Sequence, residues 1–141
     1  MNQFLTPVLA LILWSLIIWT VMYVRRIPNM NKARIAPDSA RNPDGDWKAK
    51  LPEHTQWAAH NYNHLMEQPT IFYALMFYLQ LSGSALGDSF ALKLAWTYVV
   101  LRILHSLVQI TINKVILRFA LFSLSTLILI VMAIRAVADV F

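Results

Sequence analysis

The residues best suited to chemistry form one short stretch of the chain, residues 60–69 (HNYNHLMEQP). At about 100° per residue, its polar side chains share one helical face in a stripe roughly 100° wide: His60, Asn63, His64 and Glu67. Imidazole and carboxylate groups at this spacing could present three ligands to a metal ion, with His105 as a fourth. Polar residues at a helix entrance often reach this spacing by chance, so a metal site is only an alternative interpretation.

This stretch lies where a membrane-spanning helix should begin. The apolar run that follows, residues 69–81, rises only about 20 Å, whereas the hydrocarbon core of a bilayer is about 30 Å thick. A spanning helix must therefore reach back through Glu67 to about Asn61. That places a carboxylate and one or two imidazoles at or below the membrane surface, where ionisable groups are costly and usually functional.

A second polar stripe lies on one face of the apolar run 90–113, at offsets of 3, 4, 7 and 11 from its first member: Arg102, His105, Ser106, Gln109 and Asn113. Arg102 lies about 16 Å from either end of this run, where an arginine needs a carboxylate, a water-filled cavity or an anionic ligand. Away from the ends of the predicted spans, Glu67 is the only acidic residue, so we expect it to pair with Arg102. The pair could simply join two helices, although a buried pair often adds little stability. Its polar neighbours favour a binding site.

Both stripes belong to a chain with the composition of a membrane protein. Of its 141 residues, 58% are hydrophobic and 13% are charged, and the mean hydropathy is +0.53. We predict an all-α, integral membrane four-helix bundle in one domain, 1–141, with helices at about 4–24, 58–81, 90–113 and 117–140. Pro69 should kink or loosen the second helix. The absence of cysteine excludes thiolate catalysis, disulfides and Cys-based metal sites on the protein side.

The basic residues indicate how the chain is oriented. Seven of the twelve Lys and Arg residues lie in the polar loop 25–57. The positive-inside bias makes this loop cytoplasmic, so both termini lie outside a multi-pass protein of the cell (inner) membrane. Residues 82–89 then form a short outer turn. The net charge of +5 comes from basic residues beside apolar spans, which points to the lipid bilayer and not to nucleic acid.

Three short motifs carry a resemblance to a known family. They are residues 67–74 (EQPTIFYA), residues 95–98 (AWTY) with 101–106 (LRILHS), and Arg118-Phe119. Their order and spacing resemble bacterial-type members of MAPEG, the membrane-associated proteins in eicosanoid and glutathione metabolism. Members of that family are four-helix subunits that assemble as homotrimers. Many bind glutathione between subunits near the cytoplasmic side and catalyse conjugation, peroxide reduction or isomerisation.

The resemblance implies roles for three charged residues. Glu67 matches the helix-two glutamate that binds the amino end of glutathione, and Arg102 matches the helix-three arginine. Arg118 matches the arginine that lies near the thiol, and it is the implied catalytic residue. A guanidinium beside a thiol lowers its pKa, and the thiolate is the nucleophile.

Four further positions depart from the family pattern. Asn63 and His64 stand where several members have arginine and asparagine, and Gln109 stands where the eicosanoid enzymes often place tyrosine. Phe119 replaces a serine found in one prostaglandin-forming branch. With Glu67 and Arg102, the residues Asn63, His64 and Gln109 complete the implied glutathione-binding set.

Two functions follow from these residues and the resemblance. One is a glutathione-dependent transferase or peroxidase acting on a small apolar substrate that arrives from the lipid. The other is a non-catalytic trimer of the same fold that binds a lipid or another small anionic ligand. A metal site formed by histidine and glutamate is the third hypothesis.

Overall fold

The N-terminal apolar run forms helix α1, Thr6–Lys32, after a single 3-10 turn at Gln3–Leu5. The computed structural model describes residues 3–83 and 88–139. Helix α1 continues past the predicted end at residue 24 because its polar C-terminal turns have partners outside the apolar core. The Arg25 guanidinium donates to the carbonyl of Ile110 at 2.8 Å and to that of His54 at 3.2 Å.

The predicted second span is two helices in series, α2 (Glu53–Met66) and α3 (Gln68–Leu81). They are separated at Glu67, whose backbone angles (φ −86°, ψ −97°) are not helical. The expected loosening by Pro69 is confirmed. Proline cannot donate to the carbonyl four residues back and its ring clashes with that turn, but it is well tolerated in the first turn of a new helix. The second span also begins earlier than predicted, at residue 53 instead of 58.

Helices α4 (Ser89–Thr111) and α5 (Val115–Ala138) match the third and fourth predicted spans to within two residues. Asp88 caps α4, because its carboxylate accepts from the backbone N–H groups of Phe90 and Ala91 at 2.9 and 3.0 Å. Asn113, with φ 49°, turns the chain from α4 into α5. Residues 84–87 of the predicted outer turn, and the predicted end of the last helix at 140, lie outside the described residues.

Three helical segments in the described part of the chain are long and apolar enough to cross a membrane: 3–32, α4 and α5. Helices α2 and α3 have 14 residues each, a rise of about 21 Å, so each is too short alone. The fold is therefore an all-helical four-helix bundle whose second member is interrupted.

The core of the bundle forms where α4 packs against α5, α2 and α1, and where α1 packs against α2. Phe72 and Tyr98 stack at its centre with their ring centroids 4.5 Å apart, and both are fully buried. The outer surface is also apolar, with Ile116, Leu127 and Ile134 exposed on α5. Large exposed apolar residues on this scale suit a bilayer or a second protein surface.

The polar connecting segment, residues 33–52, is shorter than the predicted loop and is folded. It contains two short 3-10 helices, Pro37–Ala40 and Asp46–Lys50. Ile35, Trp47 and Leu51 form a small buried cluster of their own, apart from the core between the helices. The cytoplasmic side of this segment, and the outer side of both termini, stay predictions from the charge distribution.

Candidate functional site

The site begins at Arg102, which is 0% exposed in the middle of α4. Its Nη2 donates to the backbone carbonyl of His64 at 2.9 Å, and its guanidinium lies 5.4 Å from the ring centre of Phe122. Its Nε and Nη1 have no hydrogen-bond partner among the described residues. A buried cation with two unpartnered donors carries a large desolvation cost that an anion could offset.

The predicted ion pair between Glu67 and Arg102 is wrong. The Glu67 carboxylate lies 3.2 Å from His64 Nδ1 instead, and its side chain is 66% exposed. The interruption at Glu67 explains the difference. The carbonyl of His64 is among the last four of α2, which have no partner within their helix, and it accepts from Arg102 in place of the carboxylate.

A cavity of about 210 Å³ lies between α2, α4 and the start of α5. Arg102 does not line the cavity but contacts two of its walls, His64 and Phe122. We call it the α5 cavity, and its walls are His64, His105, Val115, Arg118, Phe119 and Phe122. The two imidazoles meet edge to face, with centroids 6.1 Å apart. Arg118 donates through Nη1 to the side-chain oxygen of Asn113 at 2.6 Å, whereas its buried Nε has no partner among the described residues. The cavity thus joins apolar walls to a guanidinium with spare donor capacity.

Four residues of the predicted set do not line this cavity: Asn63, Glu67, Arg102 and Gln109. Gln109 is buried and its side-chain oxygen accepts from Asn61 Nδ2 at 2.9 Å, so it links α4 to α2. Asn63 lines a separate and larger cavity that faces the connecting segment. Within one subunit the structure brings His64 and Arg118 together and leaves Asn63 and Gln109 apart from them.

The metal alternative is not supported by this geometry. Among residues 3–83 and 88–139, no group of three His, Asp or Glu side chains is placed to hold a metal ion. His60 lines the larger cavity, while His64 turns toward Glu67 and His105.

Sequence reasoning missed Gln68 and Phe122. Gln68, next to the helix interruption, donates to Thr126 Oγ1 at 2.8 Å and accepts from the Tyr98 hydroxyl at 3.4 Å, which ties α3 to α5 and α4. A glutamine before a proline in an apolar run is a usable signal for such a link. Phe122 follows Arg118 by four residues, so the helical period already places both on one face of α5.

Comparison with known proteins gives one match. The family model for the MAPEG family matches residues 4–138, nearly the whole chain. No curated protein and no solved structure matches the chain. With its apolar spanning helices and this match, the chain is an integral membrane protein that belongs to the MAPEG family.

Proposed function

We propose that the protein binds glutathione, or a small anion of similar chemistry, beside α2, α4 and α5 and presents its thiolate to an apolar electrophile. The observation that carries this proposal is Arg102, fully buried with two guanidinium nitrogens that have no partner in the described part of the chain. An intramembrane arginine of this kind indicates a functional role, because burying its charge is costly and does not stabilise the fold.

The charged groups around Arg102 suit the ends of glutathione. Its carboxylates need cationic donors, and Arg102 supplies one. Its ammonium group needs a carboxylate, and Glu67 is exposed and close to the α5 cavity through His64. Membership of the MAPEG family adds support, since many members bind this tripeptide.

Arg118 is the proposed catalytic residue. Its unpartnered Nε could stabilise the thiolate formed when the glutathione thiol loses its proton to water. In conjugation the thiolate sulfur then donates an electron pair to the electrophilic carbon, a C–S bond forms, and the leaving group departs with its bonding electrons. The exposed apolar surface of α5 gives a lipid-dissolved electrophile a route to the same end of the bundle.

The size of the α5 cavity supports a site shared between subunits. At about 210 Å³ it is smaller than the roughly 300–1,000 Å³ of typical ligand pockets. A homotrimer, as the family resemblance implies, would enclose the exposed Glu67 and extend this cavity. Native mass spectrometry from detergent should therefore give trimers. Spectra with monomers or dimers alone would contradict the shared site.

Calorimetric titration of glutathione tests the site directly. Arg118→Ala should weaken binding by about 1.5–3 kcal/mol, the value of a hydrogen bond to a charged group, and should leave the fold intact. The matched control is Arg41→Ala, which removes an exposed arginine of the connecting segment. Equal affinities of wild type and Arg118→Ala, or no binding to wild type at millimolar glutathione, would refute the site.

One observation favours the non-catalytic alternative. The Gln109 amide is engaged with Asn61, so it offers the α5 cavity nothing comparable to the tyrosine that eicosanoid enzymes often carry there. Turnover of an activated aryl chloride separates the two functions. Glutathione binding without conjugation or peroxide reduction would favour a binding protein of the MAPEG fold.

A further inference from the structure

A second cavity lies apart from the α5 cavity. It has a volume of about 320 Å³ and opens between α1, the connecting segment and α2. We call it the segment cavity, and its principal walls are Met22, Arg26, Trp47, Lys48, Gln56 and His60. This volume is within the range of small-molecule sites. Asn63 also lines it and is shared with the proposed glutathione set.

The wall formed by the connecting segment is held in place by specific bonds. The buried indole of Trp47 donates through Nε1 to the carbonyl of Asn42 at 2.8 Å. Gln56 of α2 donates to the carbonyl of Lys48 at 2.9 Å, which ties the segment to the helix. A Cβ at Gly45 would lie 2.9 Å from Trp47 Cδ1, so the backbone approaches the ring as closely as only glycine permits. The cavity is therefore built into the fold.

The segment cavity carries an unbalanced positive charge. None of its lining residues is acidic, whereas Arg26 and Lys48 are cationic. The Arg26 guanidinium lies 4.9 Å from the ring centre of Trp47 and has no ion-pair partner among the described residues. Lys48 pairs with Asp44, at 3.4 Å, and the Asp44 side chain is 93% exposed. A pair so exposed neutralises little, so the cavity favours an anion.

The position of the cavity on α1 points to the source of that anion. The charge-free run of α1 ends at Val24, two residues before Arg26. Just before that end, Trp19 and Tyr23 are exposed and their ring centroids lie 4.7 Å apart. Tryptophan and tyrosine are enriched at membrane surfaces. Toward the hydrocarbon, the exposed face of α1 is apolar. An anion held by Arg26 can therefore be attached to acyl chains lying along α1.

We propose that the segment cavity binds the phosphate headgroup of an anionic phospholipid. Arg26 and Lys48 contact the phosphate, Trp47 and Met22 pack against the glycerol and the upper acyl chain, and Gln56 and His60 offer polar contacts to the rest of the headgroup. Basic residues at the border of a membrane helix attract anionic lipids in this way. This binding is separate from glutathione chemistry and does not depend on it.

Native mass spectrometry of the detergent-purified protein tests the proposal with short-chain phosphatidylglycerol. Arg26→Gln combined with Lys48→Gln should weaken its binding by about 10- to 30-fold, since each basic residue near a membrane surface contributes a factor of about five or somewhat less. The matched control, Lys32→Gln with Lys50→Gln, removes the same charge from exposed positions that do not line the cavity. The control should change binding by less than about threefold.

Three results would overturn the proposal. An equal loss in the control variant would assign binding to the general positive field. Equal binding of phosphatidylcholine with the same acyl chains would remove the need for an anion. Binding of glycerol 3-phosphate as tight as that of the lipid would make the ligand a soluble phosphate.

A milder variant and a second ligand keep the test decisive. Should the double variant fail to fold, Lys48→Gln alone removes only a pair with an exposed carboxylate, and it must still weaken lipid binding. Glutathione affinity, measured on the same variants, should stay at the wild-type value. A parallel loss of both ligands would show one shared site and would also refute the separate lipid site.

Discussion

Two arginines of the α4–α5 pair, Arg135 at one end and Arg102 in the middle of α4, differ in the partners that the fold gives them. Arg135 donates to the Asp88 carboxylate at 2.9 Å, and its guanidinium lies 4.7 Å from the ring centre of Phe90. Asp88 in turn caps the first turn of α4. Arg102 is more deeply buried than Arg135, yet within residues 3–83 and 88–139 it has a single hydrogen bond, to a backbone carbonyl.

The difference separates a structural role from a binding role. Around Arg135 each charged group has a partner: the guanidinium has the Asp88 carboxylate and the Phe90 ring, and the carboxylate also caps α4. Removing either charge would therefore leave the other without its ion-pair partner. Arg102 lacks that compensation within the described chain, and its free donors are the natural place for a ligand anion. Substitution of Arg102 should therefore reduce ligand binding, whereas disruption of the pair between Arg135 and Asp88 should reduce stability.

The largest effect is expected for Arg102→Met. Methionine keeps most of the side-chain volume and removes the buried charge, so glutathione binding should fall by about 3 kcal/mol or more. The free energy of unfolding of the unliganded protein should stay unchanged or rise by about 1–2 kcal/mol, because an uncompensated buried cation is removed. Calorimetry and denaturant unfolding in detergent measure the two quantities. A loss of stability with unchanged affinity would make Arg102 a structural residue.

A smaller effect, on stability and not on binding, is expected for Asp88→Ala. The change removes the cap of α4 and the partner of Arg135, so the free energy of unfolding should fall by about 1–2 kcal/mol. Glutathione affinity should not change. The control is Asp38→Ala, an exposed aspartate in the connecting segment. A loss of glutathione affinity in Asp88→Ala would mean that the Asp88–Arg135 pair also supports ligand binding, and it would contradict the proposed difference between the two arginines.

The smallest effect is expected for Asp44→Asn, at the exposed pair with Lys48. Both charges of this pair reach solvent, so the free energy of unfolding should change by no more than about 0.5 kcal/mol. Thermal melts at low and high salt measure it. A change above about 1 kcal/mol would mean that ion pairs in this protein stabilise it by more than their exposure suggests.

The sequence predicted the helices because their periodicity and hydropathy are local properties. The bounds of α4 and α5 follow from apolar runs, and the interruption near Glu67 follows from the covalent geometry of Pro69. The continuation of α1 to Lys32 was not predictable in this way. It depends on Arg25 meeting the carbonyl of Ile110, a contact between residues far apart in the chain.

The candidate site was predictable in composition and not in pairing. Helical spacing placed Arg102 and Gln109 on one face of α4, and both are buried as that face requires. It could not show which partner each would find. The choice between the Glu67 carboxylate and the His64 carbonyl depends on the backbone direction at a single residue, and that of Gln109 depends on Asn61 across the helix interface.

The interruption at Glu67 also bears on how the chain enters the membrane. Helix α3 is apolar but only 14 residues long, and α2 brings its polar stripe into the same span. A segment of this kind partitions weakly into lipid by itself, since its polar side chains are costly there and the His64 carbonyl at the break takes its donor from another helix. Arg102, which supplies one donor, is made later in the chain. Stable insertion of the second span therefore waits for α4, and the two should be integrated together during biosynthesis.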